Sequence, residues 1–392
     1  MKHCTIIGIS DSRDQWFPPE ILDIVSEGKV FSGGKRHHEI MEKYLPAQCR
    51  WIDIVVPLSD VFEKYKEHDD VVIFASGDPL FYGFAATVQR ECPECDIEVF
   101  PSFNSLQMLA HRMCLPYQDM HVVSLTGRPW DKLDEALISG ERMIGCLTDR
   151  NKTPNAIWSR MMEYGYDNYK MTVGENLGNE STESVGEFYE NKEYAVPNCI
   201  ILQKTAEKKR PFGIPESEFH LLDGRVNMIT KMPIRLLSLS MLDLRNSRSF
   251  WDVGFCTGSV SIEAKLQFPH LAITAFEIRE EGRELMRLNS QKFGTPGITA
   301  VIGDFLEQDL SQYPVPEAIF IGGHGGRLKE MIQKLKKVMT SDCCIVFNSV
   351  SEESRQMFED AIVEIGMQIT KCTRMAIDEH NPIYIMQARE KK

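Results

Sequence analysis

The chain has 392 residues, 43% hydrophobic and 26% charged, and its 44 Lys and Arg against 57 Asp and Glu give a formal net charge of -13. That length suits two or three domains with cores of their own and excludes disordered, collagen-like and disulfide-stapled miniature folds. No apolar run approaches the roughly 18 to 20 residues of a membrane span, Met1–Cys4 leads into a short strand rather than a signal-peptide core, and the acidic balance opposes a nucleic-acid groove, so a soluble cytoplasmic protein with neither membrane nor nucleic-acid partners is expected.

The first half alternates strand-like apolar runs with helical patterns, as an α/β domain does. Thr5–Gly8 is the first strand. The basic run Lys35-Arg36-His37-His38 reads either as a solvated helix end or as an anion site. Val71–Ala75 is a second strand, and the Gly77-Asp78-Pro79 that follows supplies a turn, a backbone-capping carboxylate and a helix start. Cys92-Pro93-Glu94-Cys95 is the one CxxC among eleven cysteines. With no second pair and no His pair at zinc spacing it reads as a loop, and neither a metal site nor a disulfide framework is expected. Ile97–Phe100 and Asn198–Leu202 are further strands, separated by Pro101-Ser102-Phe103-Asn104-Ser105, Ser124–Arg128, Leu147–Asp149 and Gly174–Leu177.

Taken together, these motifs resemble the tetrapyrrole methylase family, in its precorrin C5-methyltransferase branch, over residues 1–204. The resemblance implies a two-lobed α/β fold with S-adenosylmethionine (SAM) in the cleft between lobes. It implies cofactor contacts from Gly77, Asp78, Pro79 and Ser105, and a substrate side formed by Gly8, Asp11, Arg36 and Arg128. Ser10 stands where that family commonly has glycine.

Residues 205–212 form a charged break containing Pro211 that fits an inter-domain linker, and the second half begins at Gly213 and runs to residue 392. Five strands are expected: Ser249–Gly254, Ile273–Glu277, Ile298–Ile302, Ala318–Ile321 and Cys344–Phe347, in the order and spacing of an open, doubly wound sheet. Gly254-Phe255-Cys256-Thr257-Gly258 joins the first of these to a helical pattern, so backbone N–H groups face a ligand there. Glu277 ends the next strand, where a carboxylate meets ribose hydroxyls, and Asp304 follows the third. Three successive strand ends carrying turn, acid and turn suggest an adenosine moiety, against the alternative of a structural turn with solvated acids. A dinucleotide fingerprint would put glycine at Cys256 and Ser259, so NAD is the weaker ligand. Lys231 and Arg235 would share a helical face, as surface charges or as substrate contacts. His324, between two glycine pairs, is either a plain turn residue or a group set against a flat ring.

Gly213–Phe219, Ile229–Arg235, the Asp252–Gly258 loop, Phe320–Gly326 and Asn348 resemble the cobalamin-pathway methyltransferases that methylate C15 of a precorrin and remove its C12 acetate carboxyl. By that resemblance the fold is a Rossmann-like class I methyltransferase. Thr230, Gly254, Phe255, Cys256, Thr257, Gly258, Glu277, Asp304 and Phe305 would hold SAM. Lys231, Arg235, Gly322, Gly323 and Gly325 would face the substrate, and His324 and Asn348 are candidates for assisting decarboxylation. Cys256 and Phe305 depart from the common Gly and Ala.

The expected whole is a fusion of two SAM-dependent methyltransferases of unrelated folds, with one SAM per domain, a precorrin or cobalt-precorrin substrate and a homo-oligomeric state. The rivals are a methyltransferase of another substrate, a Rossmann-type oxidoreductase, and a tetrapyrrole-binding protein with one decayed half.

Overall fold

The computed structural model describes residues 1–377 and 382–391. The chain divides into two units: Met1–Arg128, Arg142–Trp158 and Tyr169–Thr205 make the first, and Pro129–Glu141, Ser159–Asn168 and the chain from Ala206 onward make the second.

The first unit holds two sheets. One contains β1 (His3–Ile9), β2 (Val30–Gly33), β3 (Arg50–Asp53), β4 (Asp70–Ser76) and β5 (Asp96–Phe100), all parallel, in the order β3-β2-β4-β1-β5. Ile6, Ile7 and Val71 to Ala75 are buried because both faces of these central strands are covered, which is why they read as continuous apolar runs rather than alternating ones. The other sheet contains β6 (His121–Ser124), β7 (Met143–Leu147), β8 (Tyr169–Glu175), β9 (Ser184–Glu187) and β10 (Asn198–Lys204), in the order β6-β7-β10-β8-β9, with β10 antiparallel to both its neighbours. The helix Ser105–Arg112 begins at an Asn104 cap. Asn104 Oδ1 accepts the Gln107 N–H at 2.9 Å while Gln107 Oε1 accepts the Asn104 N–H at 3.0 Å, a reciprocal pairing that fixes where the chain turns.

The second unit is one seven-stranded sheet: β11 (Ser249–Val253), β12 (Ala272–Glu277), β13 (Ile298–Ile302), β14 (Ala318–Ile321), β15 (Cys344–Ser349), β16 (Met367–Met375) and β17 (Ile383–Glu390), in the order β13-β12-β11-β14-β15-β17-β16. The first five are parallel, and β17 runs antiparallel to β15 and β16. Alternate residues feed the two faces: Trp251, Ile319 and Ile345 enter one core cluster, and Phe250, Phe320 and Val346 the other. Strand order reverses between β11 and β14. In an open α/β sheet that reversal opens a crevice beyond the carboxyl ends of the strands.

The expected five strands of the second half are all present, and the antiparallel β16–β17 pair extends them. The segment read as a linker has no helix or strand, yet it is tied down: Lys208 Nζ donates to the Tyr164 carbonyl at 2.9 Å and the Gly165 carbonyl at 2.5 Å, and Gln267 Nε2 donates to the Pro211 carbonyl at 2.9 Å. Among the described residues, no helix is long and apolar enough to cross a membrane.

Candidate active sites

A cavity of about 740 Å³ lies at the β11/β14 reversal of the second unit. Its floor is the loop after β11. Gly254 has φ +82, and a Cβ there would come 2.6 Å from the Gly323 backbone nitrogen, so only glycine lets the loops after β11 and β14 approach so closely. Glu277, at the end of β12, accepts the Cys256 N–H on Oε2 at 2.9 Å. Its Oε1 accepts the Arg279 N–H at 3.0 Å and Arg279 Nη1 at 2.9 Å. Asp304 accepts the Leu306 N–H on Oδ1 and Arg327 Nη1 on Oδ2, each at 2.9 Å. Both carboxylates are therefore held in fixed orientations beside a guanidinium that also lines the cavity. Phe305 packs edge-to-face on Phe276 with centroids 5.1 Å apart. Its backbone is pinned by Lys334, whose ammonium donates to the carbonyls of Phe305, Leu306 and Gln308 at 3.1, 2.7 and 2.6 Å.

The cavity is also lined by Thr230, Lys231, Gly322, Gly323, His324, Gly325 and Asn348, with Met375, Ile377 and Ile383 as apolar lining. His324 Nδ1 accepts the Gly326 N–H at 3.1 Å, and burial holds its pKa below the usual histidine value. At neutral pH the ring is therefore uncharged with its proton on Nε2. Asn348 Oδ1 is 3.1 Å from the Ser238 hydroxyl, which also donates to the Ile234 carbonyl at 2.8 Å, and this contact anchors Asn348 in the lining. Burial raises the Cys256 thiol to about 11, with the Glu277 charge adding to the effect.

Three expected contacts are not brought to this cavity. Arg235 is fully buried. Its Nε faces Glu263 Oε2 at 3.3 Å, Nη1 donates to the Thr230 carbonyl at 2.8 Å and Nη2 to the Ile214 carbonyl, so no edge is left for a substrate. Lys231 does line the cavity, but it stands at the N-cap of the helix Met232–Met241, outside the helical face that Arg235 occupies, so the expected shared face is not formed. Thr257 and Gly258 lie behind the loop wall, where the Thr257 carbonyl accepts the Asn289 amide at 2.9 Å and Gly258 abuts Met286.

The first unit has a cavity of about 440 Å³ lined by Asp11, Arg36, His37, Ser76, Gly77, Ser105 and the aromatic rings of Phe81, Tyr82 and Phe103. Gly77 follows β4 with φ +61, and its N–H donates to the Ile9 carbonyl at 2.8 Å. A Cβ on Gly8 would overlap the Gly77 carbonyl oxygen, so Gly8 acts as the seat of this turn rather than as a wall of the cavity. Asp78 and Pro79 likewise shape the turn from outside: Asp78 Oδ1 accepts the Leu80 N–H at 2.9 Å and the Pro79 carbonyl accepts the Ala85 N–H at 3.1 Å. Arg128 is not in the lining. It donates to Ser124 Oγ at 2.9 Å and lies over the Tyr82 ring at 5.1 Å, and Tyr82 is its link to the cavity.

Residues 1–188 match the tetrapyrrole (corrin/porphyrin) methylases and residues 221–389 the precorrin methyltransferase domain. A Sinorhizobium protein named precorrin-6Y C(5,15)-methyltransferase [decarboxylating] is 28% identical over 369 residues, covering 92% of this chain and 88% of its own. A Salmonella typhi cobalt-precorrin-6B C(15)-methyltransferase (decarboxylating) is 32% identical over 41% of this chain and 83% of its own. The chain belongs to the precorrin C5,15-methyltransferase family. A crystal structure of a precorrin-6Y C5,15-methyltransferase from Geobacter metallireducens GS-15 is 30% identical and covers 46% of this chain and 98% of its own, with a TM-score of 0.42.

Within this family member the sequence reading passed over Arg279, Arg327, Lys334 and Ser76. Arg279 stood two residues after a strand-end acid, which is a usable signal. Arg327 and Lys334 gain their meaning only from the loop that folds back onto them, and Ser76 from two side chains about forty residues upstream.

Proposed function

We propose that the chain methylates a precorrin or cobalt-precorrin at C5 and C15 and removes the carboxyl of its C12 acetate, a step of cobalamin biosynthesis, with one SAM held in each unit. The carrying observation is the second unit's cavity of about 740 Å³, where a close-approach loop, Glu277 and Asp304 stand at three successive strand ends and share the lining with His324 and Asn348. The residues fit an adenosine-bearing cofactor. Glu277 keeps one Oε2 acceptor site for a ribose hydroxyl, Asp304 and Phe305 bound a flat apolar slot, and Gly254 leaves backbone exposed. Bound SAM supplies a methyl group already activated by its sulfonium charge. Gly77 and Ser105 take the corresponding place in the first unit.

The protein's share is alignment and proton placement. At each meso carbon a new C–CH3 bond replaces a C–H bond, and the hydrogen departs as a proton. At C12 the C–COO− bond breaks, CO2 leaves and the remaining carbon takes up a proton. Methylation at C15 and decarboxylation are together proton-neutral, so one group able to hand a proton on serves both. His324, which lines the cavity, serves that exchange when its Nδ1 gives up the Gly326 N–H and takes the departing meso proton, forming the imidazolium that then protonates the decarboxylated carbon. Asn348 and Lys231 orient the acetate, and the apolar lining of Met375, Ile377 and Ile383 strips water from it, which favours loss of charge as CO2.

The test is anaerobic incubation of the full chain with SAM and precorrin-6B, with and without cobalt, read by mass spectrometry. Two added methyl groups and one lost carboxyl are expected. Unchanged pigment beside confirmed SAM binding would overturn the corrinoid assignment.

A further inference from the structure

Ser76 closes β4 immediately before the Gly77 turn, and two side chains from the helix Lys35–Met41 converge on its hydroxyl. His37 Nε2 is 2.9 Å from Ser76 Oγ and Arg36 Nη2 is 3.0 Å from it. The other imidazole nitrogen, Nδ1, accepts the Gly34 N–H at 3.3 Å, so a neutral ring carries its one hydrogen on Nε2. Burial, reinforced by the Arg36 charge, lowers the His37 pKa to about 4, and the ring is neutral at physiological pH. Ser76 Oγ thus accepts from both His37 and Arg36. A hydroxyl has two lone pairs and one hydrogen, and with both lone pairs taken the hydrogen must point elsewhere. No acceptor for it exists among the described residues. Arg36 is used on two edges, by Ser76 and by Asp11 Oδ1 at 3.2 Å from Nε, and its Nη1 is unengaged among the described residues. Ser76, Arg36 and Asp11 all line the cleft.

We propose that the Ser76 hydroxyl and Arg36 Nη1 form a carboxylate-binding pair in the first unit, with His37 as the positioning residue that turns the Ser76 hydrogen outward. This deepens the proposed function and rests on it for the identity of the ligand. A carboxylate reaches this cleft from either of two sources, an acetate or propionate arm of the tetrapyrrole or the methionine end of SAM. Asp11 offsets part of the Arg36 charge, so recognition falls on directed hydrogen bonds rather than on net charge. The pair therefore selects for geometry, and removing one hydroxyl should be felt.

The full chain carrying Glu277→Gln, which weakens the second unit's SAM site so that the first is the strong one, serves as the background. Ser76→Ala, Ser76→Thr and His37→Leu are added to it singly, and affinities are measured for SAM, decarboxylated SAM, the precorrin pigment and its methyl ester. One carboxylate ligand should lose about tenfold or more in Ser76→Ala while its carboxylate-free counterpart is unmoved. His37→Leu should repeat that selective loss and Ser76→Thr should retain affinity. Whichever pair responds identifies the source. Equal losses for a ligand and its carboxylate-free counterpart, or no loss in either pair, overturn the proposal. If the background protein ignores the pigment altogether, it is the functional reading that fails, and the SAM pair alone decides the role of Ser76.

Discussion

Asp252, one residue before the end of β11, is fully buried, with Oδ2 accepting the Ser261 N–H at 3.2 Å and the Ser261 hydroxyl at 2.6 Å. Its Oδ1 has no hydrogen-bond partner among the described residues. Desolvation outweighs the two Ser261 hydrogen bonds and, helped slightly by the Glu277 charge, raises the pKa from 3.8 to about 7. The native state thus binds this proton more tightly than the unfolded chain does. The stabilisation is complete below pH 3.8 and is lost as pH rises towards about 7, where the buried carboxyl ionises. Asp252→Asn cannot ionise and should escape that loss. Denaturant melts between pH 4 and 8 should show the variant gaining on wild type as pH rises, by up to a few kcal/mol at roughly 1.4 kcal/mol per pH unit, and levelling off above about pH 7. A difference independent of pH would mean that Asp252 is ionised in the native state throughout.

At the scale of elements, the helix Met232–Met241 fixes the segment that supplies Thr230 and Lys231 to the cavity. It does so through a residue that the sequence offered as a surface charge. Arg235 spans Glu263, the Thr230 carbonyl and the Ile214 carbonyl, and Glu263 in turn accepts the N–H groups of Gly213 at 2.7 Å and Ile214 at 3.2 Å. Removing one member of such a buried pair strands the other's charge. Arg235→Met should cost about 3–5 kcal/mol, whereas Arg235→Met with Glu263→Gln should recover much of it, because the amide oxygen still accepts from Gly213. Chemical denaturation of the two variants checks this, and a cost below about 1 kcal/mol for the single change would show the arginine to be dispensable to the fold. The strands at the sheet centre were legible because burial on both faces writes unbroken apolar runs such as Ala318–Ile321. The β16 strand was not, since Lys371, Cys372 and Arg374 sit on an exposed edge and interrupt its pattern. The acids at strand ends and the glycine loops were legible from spacing alone. The depth of Arg235, the retreat of Thr257 and Asp78 from the cavities, and the convergence on Ser76 depend on side-chain packing that no local pattern encodes.

For the whole molecule, a net charge of -13 would repel an acidic pigment, so the cationic groups that line the two cavities must act locally. Arg36 does so in the first unit, and Lys231, Arg279 and Arg327 in the second. The two cavities draw on different sheets and share no residue. Disabling one should therefore leave the other's chemistry intact. Gly77→Val places a β-branched side chain at φ +61, where its Cβ would meet the Asn104 backbone at 2.9 Å, and should close the first cavity. Glu277→Gln weakens the ribose acceptor of the second. Calorimetric titration with S-adenosylhomocysteine should find two sites in the wild-type chain and one strong site in each variant. Mass spectrometry of the pigment should find C15 methylation with decarboxylation retained in Gly77→Val, and C5 methylation retained in Glu277→Gln when that variant is given the C15-methylated pigment. Loss of both reactions from either single change, in protein that still melts cooperatively, would instead require that one cavity serve both methyl transfers.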